Sequence, residues 1–172
     1  WGPGADPNPR ERTLGPTDRV ILKLRSLSMP GQTNLPKFCT ALGCSEQEQL
    51  WEHGRHEVES GEQVLEFRLD YLPQPEKGAS VIRDFLGEYP DCTVLAKCRR
   101  HQNQGKYNGS IEEQIHILEL AVEAGAKAVH VEIETYARPS ARLEQLRSRT
   151  PRLFSYPNNE GHPAQTVVSP RL

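Results

Sequence analysis

Between residues 64 and 72 the chain reads VLEFRLDYL, and polar and apolar groups take turns. Leu65, Phe67 and Leu69 alternate with Glu66, Arg68 and Asp70. In an extended strand, successive side chains point to opposite faces, so this segment presents one apolar and one charged face. Two further segments show the same parity. In 93–99, Lys97 and Arg99 share a face opposite Val94, Ala96 and Cys98. In 128–134, His130, Glu132 and Glu134 oppose Val129, Val131 and Ile133. Further strands are predicted at 19–28, 37–42 and 152–156.

Helical signals fall between these strands. Ser45 with Glu48, and Ser110 with Glu113, have the spacing of a capping box. Ser80 and Ser140 stand before VIRDFLGE and ARLEQLR as further caps. Ile111, Ile115, Leu118 and Val122 make one helical stripe. Gly61 and Gly125 are placed to stop the helices before them. Strand and helix therefore alternate through the chain, the pattern of a parallel α/β fold.

The charged faces then become the problem. An antiparallel sheet with one wet side would give the same alternation. Helical crossovers argue against it, because they join parallel strands, and open parallel sheets read apolar on both faces. A closed βα barrel reconciles the two observations: helices cover the outer apolar face, and the inner face carries a polar site. Inside it, Glu66, Asp70, Glu132 and Glu134 would face Arg68, Lys97 and Arg99. Charges so placed need partners, and the near balance suits a small, hydroxylated, anionic ligand.

Composition narrows the classes. The 172 residues carry a net charge of −2, which offers nothing to nucleic acid or an anionic membrane, and no apolar run is long enough to span a bilayer. Four cysteines, Cys39, Cys44, Cys92 and Cys98, form no CxxC pair and no zinc spacing, so no metal is expected and reduced, buried thiols of a cytoplasmic protein are. Residues 1–18 are rich in Pro and Gly and are expected to be a disordered tail. The domain is then expected over 19–165, with a cut-short tail at 166–172.

Five stretches, in order, resemble the strands of type I 3-dehydroquinate dehydratases, the Schiff-base class. They are KFCTALG (37–43), EFRLDYL (66–72), LAKCRRHQNQGKYNGS (95–110), AVHVEIE (128–134) and LFSYPNNEGHP (153–163). The resemblance implies a (β/α)8 TIM-barrel fold, of which about five strands are present, with RVILKLRSLS as an N-terminal hairpin. It implies dehydration of 3-dehydroquinate to 3-dehydroshikimate through a Lys imine, with no cofactor, in aromatic biosynthesis or quinate breakdown. Glu66 and Arg68 would contact substrate hydroxyls, Arg99 would bind substrate, and Glu132 would orient a catalytic His. Asp70 reads as a structural partner of Arg68.

The departures are as informative. Pro157 stands where the family places its fifth-strand His, and His162, five residues on, is the remaining candidate acid/base. His130 stands where the fourth strand often has Asp, and Lys97 where the third often has Thr. The imine-forming Lys of the family belongs to a sixth strand that lies past Leu172. The chain is therefore expected to be inactive alone, and a half barrel with open edges could form a homodimer. A non-catalytic ligand-binding or assembly relic of the same fold is the alternative. A Schiff-base barrel of the aldolase kind is a third reading, weakened by the five ordered motifs.

Overall fold

The computed structural model describes residues 19–23, 38–132, 135, 137, 140–149, 152–155 and 166–169. Among the described residues, seven strands form a single sheet whose spatial order is their chain order. They are β1 (Arg19–Lys23), β2 (Phe38–Leu42), β3 (Val64–Arg68), β4 (Thr93–Lys97), β5 (Ala128–Glu132), β6 (Arg152–Ser155) and β7 (Thr166–Ser169). Strands β2 to β6 pair in parallel, each with the next. β1 pairs antiparallel with β2, and β7 antiparallel with β6. Helices α1 (Gln47–Glu59), α2 (Gly78–Glu88), α3 (Ile111–Glu123) and α4 (Ala141–Arg149) make the connections between the parallel strands. Five parallel strands in sequence order, joined by helices, are the α/β arrangement of a partial (β/α)8 barrel.

In β2 to β5 the apolar parity is the helix-facing side. Leu42, Leu65, Phe67, Val94, Ala96, Val129 and Val131 are buried in one cluster with Leu50, Ile82, Phe85, Ile115 and Leu118 from the helices. Phe67 and Phe85 meet edge to face with centroids 5.3 Å apart, a geometry that adds to the area they bury. The antiparallel alternative for the alternation is thus overturned: the strands that carry it lie side by side in parallel.

Several local expectations change. The strand expected over 64–72 stops at Arg68, and Leu69–Tyr71 turns as a short 3-10 helix. Pro73 and Pro75 follow closely, and neither can donate to a ladder. Ser45 and Glu48 form no capping box: α1 starts after Glu46, which makes no side-chain cap bond. Ser80 lies inside α2, which a turn at Pro75–Lys77 begins earlier, and its hydroxyl donates to the Lys77 carbonyl. Ser110 and Glu113 form both halves of their box, and Ser140 accepts from the Leu143 amide at 3.3 Å. Gly61 and Gly125 close α1 and α3 at φ 102° and 112°. There the next amide reaches back to Glu57 and Ala121 respectively, a left-handed stop that glycine adopts without strain.

At the sheet margins, β7 falls within the segment read as a tail at 166–172. Of the segment read as an N-terminal hairpin, the described part, Arg19–Lys23, pairs antiparallel with β2, while residues 24–28 lie outside the described residues. The edges of β2 and β6 are therefore taken, by strands of five and four residues. The tail read at 1–18 lies outside the described residues.

Candidate functional site

Strand register builds the charged face row by row. Partners across a parallel pair share a face, so Ala41, Glu66, Leu95 and Ala128 form one row. Arg68, Lys97 and His130 form the next. Glu132 stands two residues further along β5, with Arg99 just past the end of β4. All six charged or titratable groups, Glu66, Arg68, Lys97, Arg99, His130 and Glu132, lie toward the C-terminal ends of parallel strands. All are buried except Arg99, which is partly so. Glu134 lies outside the described residues, as do Pro157 and His162.

Glu66 is the hub of the inner row. One carboxylate oxygen lies 2.9 Å from His130 Nδ1, and the other 4.0 Å from Lys97 Nζ. Burial alone would raise its pKa, but the Lys97 and His130 charges and the hydrogen bond from His130 outweigh it and hold the carboxyl down at about 2. Burial, together with the Lys97 charge, lowers His130 to about 4 against the pull of Glu66. His130 is therefore neutral at pH 7 and Glu66 ionised. A carboxylate can only accept, so the imidazole proton sits on Nδ1 and Nε2 is left a bare acceptor. Nε2 of His130 and Oε1 of Glu66 make no hydrogen bond. Burial also lowers Lys97, to about 8, with Arg68 and Arg99 pushing the same way and Glu66 and Asp70 opposing. The two departures from the family pattern, Lys97 and His130, thus converge on one carboxylate.

Arg68 is held differently. Its guanidinium donates two bonds, of 2.9 and 2.7 Å, to the two oxygens of Asp70, and its Cζ lies 4.8 Å over the Tyr71 ring. Asp70 also accepts from the Lys106 amide at 3.1 Å. The 3-10 turn that ends β3 brings Asp70 back onto Arg68, so the pair expected from strand parity forms by another route. Burial would lower the Arg68 pKa, yet the Asp70 bonds raise it above the ordinary value.

Glu132 sits in a second network. It lies 3.9 Å from Arg99 Nε, and accepts from the Arg100 amide at 3.3 Å and from Gln114 Nε2 at 2.9 Å. Gln114 donates also to the Cys98 carbonyl at 2.6 Å and accepts from Thr135 at 2.9 Å. Gln114, from α3, is wholly buried and was not singled out from sequence. The available signal was a polar residue directly beside the Ile111–Ile115–Leu118 stripe. The β4–α3 loop that carries Arg99 is tight: Gln104 has φ 65°, and a Cβ built on Gly105 would overlap the Arg99 carbonyl.

An open cavity of about 640 Å³ lies beyond Asp70, among the loops after β3 and β4, with Tyr71, Lys106 and Tyr107 on its walls. Asp70, which holds Arg68, joins this cavity to the charge cluster. Among the described residues, no three His, Cys, Asp or Glu side chains group as metal ligands, and no helix is long and apolar enough to cross a membrane. The four cysteines are free and buried.

The charge cluster predicts acid sensitivity. The folded His130 titrates at about 4, against 6.5 when exposed. Between these values the unfolded chain holds the extra proton, so stability falls as pH falls. Glu66 adds a second loss below about 4.5, toward its folded value of about 2. Melting temperatures from pH 7 down to 4 are expected to decline by an amount corresponding to roughly 3 kcal/mol at most, and a His130→Phe variant to decline less steeply. A flat profile for the native chain would contradict the buried neutral imidazole.

Known proteins match this chain in two ways. The family model for type I 3-dehydroquinase matches residues 38–172. A 3-dehydroquinate dehydratase from Dehalococcoides mccartyi is 30% identical over 125 residues, covering 73% of this chain and 50% of the relative. The chain thus spans about half the length of the curated relative it matches.

Proposed function

Because the chain belongs to the type I 3-dehydroquinase family, we propose that it supplies the substrate-binding half of a site that dehydrates 3-dehydroquinate to 3-dehydroshikimate. The observation that carries this reading is the shared face of Glu66, Arg68 and Glu132, all buried, with the partly buried Arg99, on consecutive parallel strands and their ends. Glu66 Oε1 is an acceptor without a hydrogen-bond partner, suited to a substrate hydroxyl, and Arg99 Nε is an unmatched donor suited to a carboxylate. Glu132, fixed by Gln114, sets the orientation of Arg99. The reaction proceeds through a Lys imine without a cofactor, in the cytoplasm, as a step of the shikimate or quinate pathway.

Within this reading the 172-residue chain binds substrate and does not turn it over. Pro157 replaces the fifth-strand His and has no proton to move, whereas a positioned acid/base contributes roughly 10²–10⁴-fold. Pro157 equally favours the second reading, a non-catalytic ligand-binding or assembly relic, with a homodimer as its simplest assembly.

Calorimetry with 3-dehydroquinate, beside absorbance of the conjugated enone product, tests both parts. Binding is expected, weakened at least tenfold in Arg99→Ala, with no absorbance rise above background. Absence of binding would remove the substrate-site reading. Turnover that survives Pro157→Ala but is lost in His162→Ala would overturn the inactivity and assign the proton transfer to His162.

A further inference from the structure

We propose that Lys97 is a buried amine nucleophile that condenses with the carbonyl of a small oxo acid, with the Glu66–His130 pair as its proton relay. This goes beyond the proposed dehydration, whose imine belongs to a different lysine. It rests on the geometry of three side chains. Glu66 holds His130 at 2.9 Å by one oxygen and faces Lys97 at 4.0 Å with the other, so amine and imidazole flank a single carboxylate. The gap of 4.0 Å is too long for a hydrogen bond. Lys97 is therefore attracted by Glu66 without being locked to it. Two buried acceptor atoms, Glu66 Oε1 and His130 Nε2, make no hydrogen bond. Such atoms are costly to leave unmet, and a hydroxyl- or water-bearing adduct at Lys97 would meet both.

The surroundings suit the chemistry. Among the described residues, the groups facing Lys97 are Glu66, Arg68 and Asp70 from β3 and the turn after it, Arg99 from the loop just past β4, and His130 from β5. A desolvated amine beside cations is the usual form of a reactive lysine. With its pKa at about 8, about a tenth of the amine is free at pH 7. Arg99 lies two residues along the chain and offers a carboxylate partner, which selects an oxo acid over a plain aldehyde.

The step balances. Lys97 reacts as the free amine, its third proton lost to solvent. The lone pair bonds to the carbonyl carbon as the C=O π bond opens, and His130 Nε2 carries one proton from the cationic nitrogen to the oxygen. A proton from solvent then reaches that oxygen, the C–O bond breaks, and water leaves a protonated imine. Nothing is oxidised or reduced.

The test uses the full chain with glyoxylate and cyanoborohydride, which reduces any imine to a stable amine, followed by peptide mapping. At pH 7.5 the Lys97 peptide is expected to label at least tenfold faster than those of Lys77, Lys106 and Lys127. Its rate should rise to half-maximum near pH 8, the value for the folded amine. Glu66→Gln is expected to shift that midpoint downward, since it removes the opposing charge, and the label should vanish in Lys97→Met. Should either variant fail to fold, the native chain decides. An unlabelled Lys97 beside labelled surface lysines overturns the proposal, as does a midpoint in the ordinary lysine range. Neither result touches the dehydroquinate reading, which is judged by calorimetry.

Discussion

Glu66→Leu is expected to lower the unfolding free energy by about 3–5 kcal/mol at pH 7, the cost of removing one member of a buried charge group. Glu66 is fully buried and faces Lys97 and His130. Its loss strands the Lys97 charge beside Arg68 and Arg99 and leaves His130 Nδ1–H without an acceptor. Domains of this size hold only about 5–15 kcal/mol in total, so much of the stability goes with one side chain. The double variant Glu66→Leu/Lys97→Met should recover part of it, since replacing a buried pair with apolar groups of similar volume is often near neutral. The effect should also shrink at pH 9, where Lys97, titrating at about 8, is largely neutral. Urea unfolding of the four proteins closes the cycle. Additive losses in the double variant, or a single loss below 1 kcal/mol, would mean that Glu66 is not the hub.

Gly105→Ala is expected to cost about 3 kcal/mol or more, through overlap with backbone that cannot step aside. The added methyl would meet the carbonyl carbon and oxygen of Arg99, and the Gly105 amide already donates to the Arg100 carbonyl at 2.9 Å. The loop must open, and Arg99 must move away from Glu132. Two readouts should change together: the urea midpoint falls, and 3-dehydroquinate affinity drops. Gly87→Ala is the control. It lies exposed in α2 with nothing within 4 Å of the new methyl, so helix propensity should make it neutral or stabilising by up to about 1 kcal/mol. Equal stability of Gly105→Ala and the native chain would refute the close approach.

Parity in three strands was enough to place Glu66, Arg68, Lys97, His130 and Glu132 on one side of a parallel sheet, because strand geometry alternates without regard to context. Helix stops at Gly61 and Gly125 were legible for a similar reason, as a left-handed stop demands glycine. Parity says which side a residue faces, not which neighbour it meets. Nothing in the sequence showed that Lys97 and His130, 33 positions apart, share Glu66; that follows from β4 lying between β3 and β5. The end of β3 at Arg68 was missed because Leu69 and Asp70 continue the alternation inside a turn. Ser45 had the right spacing for a cap, but α1 begins after Glu46, and spacing cannot choose between candidate starts. Gln114 was hidden because its role comes from Cys98, just past β4, and Glu132, at the end of β5. Pro157 and His162 lie outside the described residues.

The strict chain-order succession of strands has a kinetic consequence. Every parallel pairing joins residues 23 to 33 positions apart, and no pairing in the described sheet joins distant parts of the chain. Loop-closure entropy grows only logarithmically with length, so each successive strand docks at nearly the same cost as the one before. Folding can then start at any strand–helix–strand unit and spread to both sides, much as in repeat proteins. During synthesis, β2, α1 and β3 can pair before β5 has left the ribosome. The charge cluster forms late on that route: Glu66 meets Lys97 when β4 docks, and its hydrogen bond to His130 waits for β5. Substitutions there should speed unfolding more than they slow folding.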